Sequence, residues 1–350
     1  IALGNLDRYE EAIATARQAQ HLADLVGTAI RLAQAHGAMM QLLFYAGRWD
    51  DALTEVAVVP ENLKEPAAAC NELGIASVIS FHRGEVDAAH RYLSAAAPNS
   101  KRIGHRLIGP HALARSREHE YDGAIAEALG VLTDAFANSE DLDEMESLFP
   151  DAVRLAVVAG DLETARALTS QVTELATGQE LPHRLGNALF CRGLLDHDAA
   201  LLLQAAERYA DATRPLPKAQ ALEAAAHELM RADDRTQART AFNEAVDAYA
   251  SLGAAADIAR LQAVFRQQGI RRGPHSKHRK AQSGWDSLTP TEIKVAAFVE
   301  EGLSNPEIAA KLLLSRRTVG THVSHILKKL NVATRTDIAR ESALRRGGRR

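Results

Sequence analysis

The chain has 350 residues, room for about two domains, with 46% hydrophobic, 25% charged and only 5% aromatic side chains. Abundant Ala and Leu with so few aromatics argue against a β-sandwich and for an all-α chain, and two cysteines, Cys70 and Cys191, are too few for a disulfide framework or a cysteine-built zinc site. The net charge of −4 conceals a split: residues 1–270 carry 24 Lys and Arg against 38 Asp and Glu, a balance of −14, while residues 271–350 carry 17 against 7, a balance of +10. A basic unit joined to an acidic one is the footprint of a protein in which one part meets a polyanion and the other does not.

From Ile1 onward a short pattern returns: a hydrophobic or long side chain, usually an acidic residue, any residue, then alanine. Copies end at Ala12, Ala52, Ala89, Ala124, Ala165, Ala200 and Ala238, spaced 40, 37, 35, 41, 35 and 38 residues apart, about the length of a helix-turn-helix pair. Gly47, Gly84 and Gly160 precede copies, as suits a turn that ends one helix and starts the next. Apolar-periodic stretches such as 29–43 and 185–195 supply the second helix of each pair. Residues 1–268 thus resemble a tetratricopeptide-like helical-hairpin solenoid, although the tetratricopeptide period is shorter and its full Trp, Leu, Gly, Tyr pattern is absent. Such a fold offers a concave surface for an effector or a protein partner. The acidic run 140–146 reads as a solvated loop between repeats, and Pro215 and Pro217 mark a break between pairs. Both cysteines read as small buried apolar side chains.

Residues 269–284 hold Gly269, Gly273, Pro274, Gly284 and five Lys or Arg with no acid, a composition that cannot bury a core and is expected to form a flexible basic linker. Four helices follow in 285–350, each announced by its cap. Thr289 with Pro290 and Glu292 forms a capping-box pattern before an apolar face of Ile293, Ala296, Ala297 and Val299. Ser304 with Glu307 opens a short helix carrying Ile308, Ala309 and Leu312. Ser315 is placed to cap a third helix whose buried stripe is Val319, Val323, Ile326, Leu327 and Leu330. Thr334 with Asp337 caps a fourth, through about Leu344. On the third helix Arg317, Thr321, Ser324 and Lys328 recur at helical spacing opposite the apolar stripe, flanked by Arg316, Gly320, His325 and Lys329, while His322 reads as packing at the bundle edge. A short helix, a tight turn and a longer helix with a cationic, hydroxylated outer face suit the major groove of double-stranded DNA.

The stretch resembles the LuxR-type helix-turn-helix domain. The matching residues are Leu288-Thr289 with Glu292, Gly302-Leu303-Ser304-Asn305, Glu307-Ile308-Ala309, Ser315, Thr318-Val319, His322-Val323, Ile326, Lys329-Leu330, Val332 and Arg335. The resemblance implies a transcriptional regulator whose motif spans Asn305 to Ser324 and which forms a dimer on DNA through its last helix. The DNA-contacting candidates are Asn305, Ser315, Arg316, Arg317, Thr318, Gly320, Thr321, Ser324, His325, Lys328 and Lys329. The family often places a long polar side chain where this chain has Gly320. A helical solenoid ahead of such a domain resembles the large ATP-binding LuxR regulators, whose plan sets a nucleotide-hydrolysing module before the solenoid. No phosphate-loop motif occurs in this chain, so no cofactor is expected in it and ATP would belong to an upstream module. The start at Ile1, inside a helical pattern, fits the trailing part of a longer protein.

The expected function is therefore a cytoplasmic, non-enzymatic, sequence-specific transcription regulator with a sensing solenoid. No apolar run approaches the roughly 18 residues of a membrane span. The alternative is a helical-repeat scaffold whose basic tail binds acidic partners. Docking of the acidic part on the basic part would offer a route to inhibition.

Overall fold

The computed structural model describes residues 2–56, 58–60, 63–104, 109–139, 145–178, 180–270, 284–312, 314 and 316–347. Among them every regular element is helical. The basic segment 271–283, the cap residue Ser315 and residues 140–144 of the acidic run lie outside the described residues.

Seven helical hairpins of the acidic part close through one kind of turn, which recurs between hairpins at Thr213 and after the last at Gly253. It joins α1 (Ala2–Asn5) to α2 (Tyr9–Val26), α3 (Ala29–Tyr45) to α4 (Trp49–Val56), α5 (Pro66–Arg83) to α6 (Val86–Arg102), and α7 (Gly109–Tyr121) to α8 (Ile125–Ala137). The last three joins are α9 (Phe149–Ala159) to α10 (Leu162–Ala176), α11 (Pro182–Asp196) to α12 (Ala199–Asp211), and α13 (Pro215–Arg231) to α14 (Arg235–Leu252). A final helix, α15 (Ala255–Gln267), covers the end.

Each turn contains a residue with left-handed backbone: Asp7 at φ 57°, Gly47, Gly84, Gly123, Gly160, His197 at 54° and Asp233 at 58°. The next residue donates its amide to a carbonyl five positions back, as in Arg8 to Leu3 (2.9 Å), Arg48 to Leu43 (2.8 Å), Asp161 to Ala156 (2.9 Å) and Asp234 to Leu229 (2.9 Å). This closes the carbonyls left open at a helix end.

The turn also sets the repeat register. Four residues after each cap sits a buried small or aliphatic side chain: Ala12, Ala52, Ala89, Ala128, Ala165, Leu202 and Ala238. Their spacings are 40, 37, 39, 37, 37 and 36, more even than the alanine pattern implied. Two expected repeat positions are corrected. Ala124 is the half-buried cap of α8, and Ala200 is exposed in the first turn of α12. Alanine is too abundant to mark register by itself, whereas the left-handed turn residue marks it physically.

The array curls until its ends meet. One apolar core cluster joins Tyr9, Trp49, Ile79 and Leu93 of the first hairpins to Phe190, Tyr209, Phe242 and Phe265 of the last, and a second occupies the middle hairpins around Leu132, Phe149 and Val172. His82 on α5 meets Asp257 on α15 at 2.6 Å. The Arg214 guanidinium lies over the rings of Tyr9 and Tyr45, with centroid distances of 5.7 and 5.0 Å. Much of the concave side expected to stay open is thereby filled by side chains. Glu146, expected in a solvated loop, is turned inward onto His183 (2.5 Å) and Arg184 (2.9 Å). Cys70 and Cys191 are buried, as their apolar reading implied.

The basic part is a separate bundle of α16 (Pro290–Glu300), α17 (Asn305–Leu312), α18 (Arg316–Leu330) and α19 (Arg335–Gly347) around Leu288, Val295, Ala296, Val299, Ile308, Val319, Ile326 and Ile338. The capping boxes form as spaced: Thr289 with Glu292 (2.7 and 3.1 Å) and Thr334 with Asp337 (2.9 and 3.2 Å). On α16 Val295, Ala296 and Val299 are buried, while Ile293, expected on the apolar face, is 42% exposed. Glu292, fixed inward by the capping box, rotates the helix so that 295 and 299 follow it to the core.

Candidate nucleic-acid interface

Helix α17 is positioned at its first turn. The Ser304 amide and hydroxyl both donate to Glu307 Oε2, at 2.7 and 2.6 Å, and these bonds hold the Glu307 carboxyl below the usual range. Arg335, in the first turn of α19, donates to Asn305 Oδ1 at 2.7 Å and also to the Leu303 carbonyl. A cation at a helix amino terminus opposes the helix dipole. Its place is explained by these two acceptors, and that mismatch is the signal by which sequence reasoning could have found its positioning role. After α17 the chain turns at buried Leu314, whose amide reaches the Ala309 carbonyl at 2.9 Å.

Helix α18 divides into three faces at 100° per residue. Val319 and Ile326 are fully buried, with Val323, Leu327 and Leu330 packed on the same core. A second face carries exposed Arg316, Arg317, Ser324 and Lys328, with Gly320 and Thr321 half-buried between them. Thr321 and Ser324 donate their hydroxyls back to the carbonyls of Arg317 (3.2 Å) and Gly320 (3.1 Å), which leaves oxygen lone pairs facing outward as acceptors. A Cβ built on Gly320 would meet only Asn305 Nδ2, at 3.8 Å, so the site has room for a side chain.

The third face holds Thr318, His322, His325 and Lys329. Two DNA-contacting candidates on this face are corrected. Thr318 is fully buried, and Lys329 donates to Glu292 Oε2 at 2.8 Å. Neighbours in sequence are 100° apart around the axis, so Lys328 points to solvent while Lys329 points at the bundle's buried carboxylate. Burial pushes the imidazoles of His322 and His325 below the ordinary histidine value, against the pull of Asp51, Glu55 and Glu292 on the first and of Glu292 on the second. His322 packs at the bundle edge as expected, 3% exposed. Sequence reasoning missed Glu292 as the anchor of α18, because its capping role alone explained its presence.

A short helix, a turn, and a longer helix held on the bundle by one face and open on another define a helix-turn-helix. Residues 286–342 match the family of bacterial regulatory proteins described as the luxR family, and they form a LuxR-family domain. The chain is 49% identical over 74 residues to an HTH-type transcriptional regulator of Mycobacterium bovis, a match covering 21% of this chain and 8% of the relative. It is 41% identical over 54 residues to the transcriptional regulatory protein LiaR of Bacillus subtilis, covering 15% of this chain and 26% of that protein. A nitrate/nitrite response regulator homolog of Haemophilus influenzae is 48% identical over 50 residues, covering 14% and 24%. The chain thus spans about a twelfth of the length of the first of these relatives. No solved structure matches it.

Proposed function

We propose that the chain is a sequence-specific, DNA-binding transcriptional regulator in which residues 285–350 read duplex DNA and residues 1–268 sense an effector or protein partner. The observation that carries this reading is the open face of α18: Arg316, Arg317, Ser324 and Lys328 exposed on a helix whose opposite side is locked into a core. Arginine and lysine on that face reach phosphates or guanine edges, and the Thr321 and Ser324 oxygens accept from base amino groups. The relatives named as transcriptional regulators support the same reading. Dimerisation on DNA through α19 is supported by Leu344, 64% exposed on that helix.

Sensing by the solenoid is supported by a cleft between its second and later hairpins, lined by Phe44, Tyr45, Leu148, Asn187, Arg214 and Gln220. Apolar walls with a few converging polar groups are the usual make-up of a small-molecule site. Among the described residues no helix is long and apolar enough to cross a membrane, which is compatible with a regulator working in the cytoplasm.

Selection of bound sequences from a random duplex pool tests the reading. One sequence should emerge that binds far more tightly than random duplex, with affinity falling steeply as salt rises. Replacing Arg317 and Lys328 by Ala should abolish the enrichment. Equal binding to all duplexes, or to none, refutes it in favour of a scaffold with a basic tail.

A further inference from the structure

The third face of α18, and the amino end of its open face, do not end in solvent. Arg317 Nη1 donates to the Val58 carbonyl at 3.2 Å, and Arg316 Nε lies 3.5 Å from Asp24 Oδ2. His325 Nδ1 is 3.5 Å from Thr54 Oγ1 on α4. Beside them Arg48 donates to Thr291 Oγ1, and Thr291 donates to Asp51 Oδ2, each at 3.3 Å. Asp51 and Glu55, one helical turn apart on α4, are the solenoid acids whose charge is felt at His322. Helix α4 therefore lies along α18, and the contacts join residues some 240 to 290 positions apart.

We infer that the acidic face formed by α2, α4 and the Val58 turn is an intrachain docking surface for the recognition helix, and that this surface and duplex DNA compete for α18. The inference rests on the DNA-binding reading above. Competition follows from size and from charge. An α-helix with its side chains is about 10–12 Å across and the major groove about 12 Å wide, so α18 enters a groove alone and not with α4 against its flank. Arg316 and Arg317, which face Asp24 and a carbonyl in the docked arrangement, are the cations nearest the start of the helix and would serve phosphates in a complex. The solenoid carboxylates stand where phosphates would stand. The surface also fits its partner in overall charge, an acidic array of balance −14 against a carboxy-terminal part of +10, of which residues 285–350, with 12 Lys and Arg against 7 Asp and Glu, hold +5. The contacts are few, several are partly exposed, and Arg316 keeps 64% of its side-chain surface. Such a clasp is suited to being displaced by duplex, or by an effector that moves the first hairpins.

The experiment uses the full chain with Asp51→Cys and Thr291→Cys, two positions outside the DNA-contacting set, joined by a short bismaleimide; the native Cys70 and Cys191 are buried. The cross-link is expected to form in the free protein and to be suppressed when a labelled random-sequence duplex is added at low salt. Once cross-linked, the chain is expected to bind that duplex at least about tenfold more weakly than before cross-linking. A second variant, Asp24→Lys with Asp51→Asn, is expected to bind about tenfold more tightly than the parent, a shift of about 1.4 kcal/mol, by removing the acids that hold the clasp. If no cross-link forms, or if the cross-linked chain binds duplex as tightly as the free one, the docking inference is overturned while DNA binding stands. If the cross-link forms but no variant binds any duplex, the DNA-binding reading fails and the competition with it.

Discussion

Lys328 and Lys329 are adjacent lysines of one helix for which the structure assigns opposite consequences. Lys328 is exposed on the open face, whereas Lys329 is 23% exposed and bonded to Glu292, whose side chain is 2% exposed. Lys328→Ala should remove one phosphate contact and lower the slope of log affinity against log salt by about 0.9. Between about 50 and 200 mM salt that slope change alters the ratio of parent to variant affinity by about threefold. Its effect on folding should be within about 0.5 kcal/mol, as for an exposed side chain with no hydrogen-bond or ion-pair partner among the described residues. Lys329→Ala instead strips a buried carboxylate of its lysine, leaving the Thr289 amide at 2.7 Å and His325 Nδ1 at 3.9 Å. Loss of a fully buried pair costs about 3–5 kcal/mol, and the partial exposure of Lys329 reduces this to about 2–3 kcal/mol. Fluorescence anisotropy on a selected duplex at several salt concentrations reads the slope, and amide hydrogen exchange in α16 and α18 reads local stability. Should Lys329→Ala lower the slope as much as Lys328→Ala with exchange unchanged, the face assignment of α18 is refuted.

Gly320→Lys should be accommodated, since the added Cβ meets one atom at 3.8 Å, and should strengthen duplex binding severalfold while gaining about 0.7 kcal/mol of helix propensity; weakened binding in the same anisotropy assay would contradict the open face. Gly74→Ala should destabilise the solenoid by at least about 2 kcal/mol in urea melts, because its Cβ would sit 2.6 Å from the His111 backbone nitrogen and 2.8 Å from the Pro110 carbonyl carbon, so α5 and α7 must part; a neutral result would mean that the two helices are not in backbone contact. His111 itself is 1% exposed, neither ring nitrogen has a partner among the described residues, and burial with help from Arg115 lowers its pKa from 6.5 to about 4. The folded state resists a proton that the unfolded chain accepts, so this stability is complete above pH 6.5 and is lost as pH falls toward 4, by up to about 3 kcal/mol. Urea melts at neutral and acid pH should show a smaller loss for His111→Leu than for the parent, and an equal loss would refute the assignment.

The helix-turn-helix was legible because its signals are local. Thr289 with Glu292 and Thr334 with Asp337 lie three residues apart and close within one turn, and the stripe from Val319 to Leu330 repeats at the helical period. Repeat length was legible for the same reason, but register was not. Ala124 and Ala200 satisfied the pattern while the turns, through left-handed Gly123 and His197, placed Ala128 and Leu202 inside instead.

From the linear chain alone came the all-α class, the two-part charge split, the hairpin period and the helix-turn-helix with its outward Arg317, Ser324 and Lys328, since each depends on spacings of a few residues that backbone geometry converts directly into a face or a cap. Tertiary structure decided the rest: that the solenoid's ends meet, that Lys329 and Thr318 turn away from the open strip, and that α4 lies along α18. Those outcomes depend on pairs up to 290 residues apart, which come together only when summed small turns between rigid helices bring distant faces into register, a geometric accumulation that no local pattern records.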